Sequence, residues 1–554
     1  MKNLKLYFVV FLLGLSLYGI ACTNFLVGKD ASVDGSTMIT YSADSYYLFG
    51  ALYHYPAAVY PNKTMLDIYD WDSGKYLGKI EQAAQTYNVV GNMNEFAVSI
   101  GETTFGGRHE LVDTTGILDY GSLIYIALQR SKTAREAIQI MTDLVAKYGY
   151  CSEGESFSIA DPQEVWIMEM VGKGNKEKGA VWAALRIPDD CVSAHANQAR
   201  ITTIPFNDKE NCLHSKDVVS FAKKQGYFSG KDSEFSFSDV YAPLDYGAIR
   251  LCEARVWAFF RSVDQQMDTC FSYINGETKQ RMPLWIKPKV KLSVKDIRDV
   301  MRNHYEGTPL DMTKGAGSGA FSSPFRHSPL TYSVDSIEYY HERPIATQQT
   351  GFTFVAQMRN WLPTSIGGVL WFGVDDATCN VYVPMYCGID SVPECFDAHN
   401  GSLLEFSWTS AFWINNWVSN MTYPQFSSMM QDIQPRQQAW EAKFDSTLPA
   451  IDAKAGELYR QDKRLAINFL TNYSVTQAQE VTKDWKKLGE YLIVKHLDGI
   501  LKMEKNGKFI TGEKNIPPHV ERPGYPEQYL REEFINDNPD RFRIKTKEEL
   551  NNRR

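Results

Sequence analysis

The sequence predicts an α+β protein, strand-rich in its first part and helical in its last third. Three observations carry that reading. Short apolar runs alternate with turn pairs from Cys22 to about Ile100. A second group of such runs, Phe157-Ser158-Ile159, Val165-Trp166-Ile167-Met168 and Val181-Trp182-Ala183-Ala184, reads as a hairpin-rich sheet. Apolar residues recur at helical spacing over 118–148 and again over most of 403–495.

Taken in order, Phe25-Leu26-Val27 is a strand ended by Gly28-Lys29-Asp30, and Asp34-Gly35 turns the chain into the return strand Thr37-Met38-Ile39-Thr40. Val98, Ile100 and the alternation around Glu102 predict a further strand. The helix over 118–148 follows from Leu123, Ile126, Ala127, Ile138, Met141 and Val145. Residues 205–290 read as loop-rich with one helix around 249–260, and 294–304 as a short amphipathic helix. Strand character returns over 350–388 around Gly367-Gly368. Two helices are expected at 458–470 and 474–497, and the charged, proline-bearing segment 517–554 reads as a peripheral tail. No fixed-period repeat is present.

With 44% hydrophobic residues the chain can bury a large core, and its net charge of −8, without a basic stripe, argues against non-specific nucleic-acid binding. Residues 1–21 have the parts of a secretory signal: Lys2 and Lys5, an apolar core, and small residues at Gly19 and Ala21. The segment is too short for a membrane span, and no second stretch is long enough. The expected product is therefore an exported protein, periplasmic or secreted, with no stable membrane insertion. Loss of both leader lysines would move the net charge from −8 to −10. Eight cysteines follow Cys22, and they could form a bridge, with Cys379 and Cys387 as one candidate pair, or serve as buried apolar side chains. Neither Cys nor His shows a metal-ligand spacing.

Cleavage after Ala21 would leave Cys22 with a thiol and a free α-amine on one carbon. An amine with a reference pKa near 7.7 to 8.0 can take the proton of a thiol near 8.5, so nucleophile and general base arise together. A lipidated anchor cysteine is the competing reading. It is the weaker one, because Gly19 stands where a leucine would suit lipidation better.

The run Cys22-Thr23-Asn24-Phe25-Leu26-Val27-Gly28-Lys29-Asp30 through Ile39 resembles the mature start of the C69 dipeptidases, cysteine members of the N-terminal-nucleophile hydrolases. The resemblance continues through Asn94-Glu95, Gly101-Glu102-Thr103-Thr104, Ser158 to Glu169, His195 to Ile201, Arg255-Val256-Trp257 and Ile366 to Trp371. It implies an αββα sandwich with the nucleophile at the start of an inner strand. It also implies hydrolysis of short peptides, typically dipeptides of broad side-chain type, without an organic cofactor or catalytic metal. The division expected is a leader over 1–21, a catalytic domain with insertions over 22–395, and a mainly helical extension with a charged tail over 396–554.

The catalytic candidates are Cys22, Asp44, Asn197 and Arg255. Asp44 falls where related hydrolases orient the nucleophile and its amine. Asn197 offers an uncharged amide to a developing oxyanion, with a turn-capping asparagine as the alternative. Arg255 could bind a carboxylate or tune the thiol, against a core-edge arginine. His195 is as well explained by structure as by acid–base work. Related chains carry an arginine where this one has Tyr41, so a guanidinium expected next to the thiol is absent. Asp161, Glu164 and Glu169 form an acidic group around Trp166 that offers an ammonium contact, although strand alternation prevents them from sharing one cage. The partners expected are small peptides, with self-assembly left open. A conjugated bile acid or acyl-amide hydrolase, and a lipid-anchored binding protein, are the alternative functions.

Overall fold

The computed structural model describes residues 22–535 and 539–551; the proposed leader lies outside the described residues. Mixed α and β structure is observed. In chain order the main strands are β1 (Asn24–Val27), β2 (Thr37–Asp44), β3 (Ser99–Gly106), β4 (Gly154–Ala160), β5 (Val165–Gly172), β6 (Ala180–Arg186), β7 (Val192–His195), β8 (Thr350–Met358), β9 (Gly368–Val374) and β10 (Val383–Tyr386). The first sheet runs β7-β1-β2-β8-β9-β10, with Trp285–Ile286 beyond β7. The second runs β6-β5-β4-β3 and is extended at both ends by short strands. Their ladders are antiparallel, so hairpins can connect neighbouring strands.

The two sheets face one another through β1 and β2 against β3, β4 and β5. This explains the uninterrupted apolar reading of β1, whose four residues are all buried. At Gly101 the sheets approach so closely that a Cβ would lie 2.7 Å from Asn24 Nδ2 and 3.2 Å from the Thr40 carbonyl oxygen. Alternation in β5 divides its side chains as expected: Trp166 and Met168 join the core under the helices, whereas Val165 and Ile167 join the core between the sheets.

Helices α1 (Tyr120–Arg130) and α2 (Ala134–Tyr148) cover the outer face of the second sheet. The single helix expected over 118–148 is interrupted because Thr133 caps α2, accepting from Glu136 N at 3.2 Å. Helix α3 (Ala254–Val263) lies against β7. Helices α4 (Ala411–Thr422), α5 (Phe426–Gln461) and α6 (Lys463–His496) form the helical last third. The break between the two long helices falls at Asp462, not near 471–473 as the sequence pattern suggests. Asp462 Oδ1 accepts from Arg464 N at 2.7 Å and starts α6 afresh. Helix α6 docks on the sheet through Ser474, which donates to Pro384 O at 2.9 Å, and Trp485, which donates to Cys379 O at 2.8 Å. Residues 517–535 and 539–551 are mostly exposed.

All nine cysteines are free. Cys379 and Cys387, the candidate bridge, are both fully buried, and Cys387 Sγ instead donates to Thr364 O at 3.2 Å.

Candidate active site

Cys22 lies two residues before β1, with Thr23 between them. The reciprocal hydrogen bonds between Thr23 and Ser42, at 3.3 and 3.0 Å, continue the β1–β2 ladder to its end and bring Cys22 beside the last residues of β2. Its Sγ lies 3.9 Å from Tyr41 Oη and 3.7 Å from Glu102 Oε1. Burial pushes the thiol well above its ordinary pKa, and the carboxylates of Glu102 and Asp44 push in the same direction. A hydrogen bond from the Asp44 backbone N–H to sulfur and the contact between the thiol and the Tyr41 hydroxyl oppose them. A thiol so placed rests neutral and needs a base at the moment of attack.

Arg255 is buried on the first turn of α3, just after the wide π-helical turn Ala248–Glu253. Its guanidinium is completely committed. Nε donates to Leu251 O at 2.8 Å, Nη1 to Cys22 O at 2.7 Å and Thr23 Oγ1 at 2.9 Å, and Nη2 to Ala196 O at 3.2 Å and Asn197 Oδ1 at 2.9 Å. Those five bonds exhaust its donors, so Arg255 is not a receptor for a substrate carboxylate. It ties the start of β1 to the segment after β7.

Asn197 follows β7 with a left-handed φ of 61°, a conformation asparagine tolerates better than most residues. Its Nδ2 donates to Thr104 O at 2.7 Å. The amide carries a second N–H, and Asn197 lines the adjoining cavity.

Asp44 is buried at the end of β2. Ser42 Oγ and Thr350 Oγ1 donate to its Oδ1 at 2.5 and 2.7 Å, and Arg343 Nη2 contacts Oδ2 at 3.2 Å. Burial pushes its carboxyl up to about 6 despite Arg343 and the two hydroxyls. A guanidinium thus stands near the nucleophile after all, supplied by residue 343 instead of 41. Nothing in its local sequence identifies that role.

Glu102, Glu155 and Asp72 were not singled out as site residues by the sequence. Tyr41 Oη donates to Glu102 Oε1 in a very short contact. Thr104 Oγ1 donates to Glu155 Oε2 at 3.2 Å, and Tyr120 Oη to Asp72 Oδ1 at 2.9 Å. Burial raises the pKa of all three carboxyls. One signal for Glu102 was available: it falls two residues after Ile100 and four after Val98, so alternation places a carboxylate in line with buried apolar positions.

A cavity of about 630 Å³ is lined by Asn197, Arg255, Glu155, Asp72 and Tyr120, among others. A smaller one of about 170 Å³ reaches Cys22, Tyr41 and Asp44 and shares Asp72 and Tyr120 with the first. The thiol lines the smaller of two neighbouring cavities, which have Asp72 and Tyr120 in common.

The acidic group expected to meet an ammonium is otherwise engaged. Asp161 accepts from Ala134 N at 2.8 Å and Gln163 N at 2.7 Å. Glu164 pairs with Arg135 at 2.7 Å and Arg186 at 3.3 Å, and Glu169 accepts from the backbone of Arg200 and Ile201. His195 bridges the sheets between Thr103 Oγ1 and Ser158 Oγ, each at 2.7 Å; burial, with the Arg200 charge, pushes it down to about 3. It is a neutral structural histidine.

The model of peptidase family C69 matches residues 21–52 and 47–439. The chain belongs to peptidase family C69. The first matched segment carries Cys22 and Asp44, and the second carries Glu102, Asn197, Arg255 and Arg343. Among curated relatives, a probable dipeptidase of Latilactobacillus sakei is 26% identical over 84% of this chain and 93% of its own length. A probable dipeptidase of Salmonella dublin is 29% identical over 69% of this chain and 84% of its own. Dipeptidase A of Lactobacillus helveticus is 25% identical over 72% and 81% respectively. For this C69 peptidase, the family match and the cavities around Cys22 concern the same residues.

Proposed function

We propose that this C69 peptidase is an exported dipeptidase of broad side-chain range, with the Cys22 thiol as nucleophile and the Cys22 α-amine as general base once residues 1–21 are removed. The observation that carries the reading is the position of Cys22: the first residue after a signal-like leader, at the start of an inner strand, on the wall of a cavity. The facing sheets flanked by helices support an N-terminal-nucleophile hydrolase sandwich.

In this mechanism the amine takes the thiol proton as sulfur attacks the scissile carbonyl carbon. The Asn197 amide stabilises the developing oxyanion. Collapse breaks the C–N bond, the ammonium returns its proton to the leaving amino acid, and a thioester remains on Cys22. The amine then deprotonates water, which attacks the thioester; the released thiol is restored with the acid product. Asp44 and Arg255 act as positioning residues, because each holds backbone or charge around Cys22. No cofactor enters this scheme.

The acidic lining of the two cavities favours a free amino terminus and disfavours anionic conjugated bile acids. A side-by-side comparison of free dipeptides, amino-blocked dipeptides, tripeptides and glycine- or taurine-conjugated bile acids tests the assignment. Free dipeptides are expected to be cleaved fastest; faster turnover of blocked or bile-acid substrates would overturn it.

A further inference from the structure

Glu102, which contacts the thiol, and Glu155 each have a buried oxygen, Oε2 and Oε1, for which the described residues offer no donor other than the neighbouring carboxyl. Glu155 pairs with Thr104, and Glu102 with Phe157, in the β3–β4 ladder. The two glutamates are therefore diagonal neighbours on one face, close enough for their carboxyls to hydrogen-bond by sharing a proton. The groups that bear most on these carboxyls and on Asp72 are one another, nearby acids, hydroxyls and the thiol; no lysine or arginine is among them. Fully burying acids without a cation is costly unless something else compensates. Glu155 and Asp72 line the larger cavity, so a ligand can reach the cluster through them, whereas Glu102 is fully buried and lines neither cavity.

Substrate geometry says which cation fits. In a peptide the α-nitrogen lies about 2.5 Å from the scissile carbonyl carbon of its own residue, from standard bond lengths and angle. With sulfur about 3 to 3.5 Å from that carbon before attack, the α-nitrogen must lie within about 6 Å of Sγ. Glu102 Oε1 is 3.7 Å from Sγ. Asp44 is engaged by Arg343, Ser42 and Thr350, which leaves the Glu102 cluster to meet the amine.

Resting on the dipeptidase reading, we propose that Glu102 and Glu155, with Asp72 at the rim, receive the α-ammonium group of the substrate and so select peptides by their free amino terminus. The ammonium supplies donor hydrogens and a positive charge in place of the proton that the two carboxyls otherwise share. An acylated amine loses both the charge and the space, which limits cleavage to the first peptide bond.

The test is the ratio of kcat/KM for Ala-Ala to that for propionyl-Ala, which lacks only the amine, in the mature enzyme and in Glu155→Gln, Glu102→Gln and Asp72→Asn. Charged hydrogen bonds worth about 1.5 to 3 kcal/mol correspond to a wild-type preference of about 10- to 150-fold. The ratio is expected to fall by about ten-fold or more in Glu155→Gln and Glu102→Gln, and less in Asp72→Asn. Asp72→Asn lies at the rim and keeps the test open should either buried variant misfold. A ratio that stays at the wild-type value in every folded variant would overturn the proposal while leaving the dipeptidase assignment standing. So would a change confined to the Lys-Ala to norleucyl-Ala ratio, which would mean that the cluster reads a side-chain cation. No hydrolysis of any of these peptides by the wild-type enzyme would overturn both.

Discussion

Arg255 holds Cys22 by its main chain: Nη1 donates to the Cys22 carbonyl oxygen at 2.7 Å while Nη2 reaches Asn197 Oδ1 at 2.9 Å. One planar group thereby fixes the nucleophile's residue relative to the amide proposed to meet the oxyanion. A lysine has three donors from one point and cannot reproduce that fork. Arg255→Lys is expected to lower kcat by at least about ten-fold with a smaller change in KM, because misplacement within the site costs turnover. Steady-state kinetics on a free dipeptide, with a melting curve to establish folding, checks this split.

Asn197 calls for two substitutions because its backbone is left-handed. Asn197→Ala removes the amide but also strains a positive φ, whereas Asn197→Gly removes the amide and suits that conformation. Both are expected to lower kcat/KM by about 10² to 10³, the usual cost of losing an oxyanion donor. Near-normal activity in the glycine variant would return Asn197 to a turn-capping role.

The ordered motifs singled out Cys22, Asp44, Asn197 and Arg255, and the structure places Cys22 and Asp44 on one cavity and Asn197 and Arg255 on its neighbour. What they could not convey was how each polar group is spent. Arg255 looked available to a carboxylate because a sequence does not reveal the five acceptors that surround it. Asp161, Glu164 and Glu169 looked available to an ammonium because their partners, the α2 N-terminus, Arg135, Arg186 and the Arg200 backbone, come from separate segments. Arg343 was invisible for the same reason: it stands 299 positions along the chain from Asp44, with no local period to mark it. In the fold, alternation sorted the faces of β5 correctly, whereas the helix break at Asp462 depended on a cap that apolar periodicity does not register.

The proposed base makes the amino terminus itself a catalytic group. Enzyme prepared with one extra residue before Cys22 keeps its thiol but has an amide in place of the amine. If folding is unchanged, turnover is expected to fall by about 10² to 10⁴, the usual contribution of general acid–base catalysis. Mass spectrometry of the active protein is expected to give an unblocked Cys22 as its first residue. Full activity of the extended form would sink the amine's role, and a diacylated terminus would favour the anchor reading.

The pH dependence separates this amine from Asp44. Catalysis through the amine requires its neutral form, so kcat/KM should rise with pH toward an amine pKa whose reference value is about 7.7 to 8.0. Asp44 must be ionised to pair with Arg343, and burial raises its carboxyl to about 6. Between these values one proton limits activity; below about 6 two do, so log kcat/KM should steepen from a slope of one to two. The sign for stability is opposite: with a folded pKa above the unfolded one, Asp44's proton-linked contribution is full below about 3.9 and lost as pH rises through about 6. Asp44→Asn cannot ionise. Its overall activity should be lower because the charge on Arg343 is no longer met, and its acid limb should be shallower than the wild type's below pH 6, where the raised carboxyls of Asp72, Glu102 and Glu155 still titrate. Profiles of the two enzymes over pH 5 to 9 decide the matter, since a variant as steep as the wild type below pH 6 would assign that ionisation to another group.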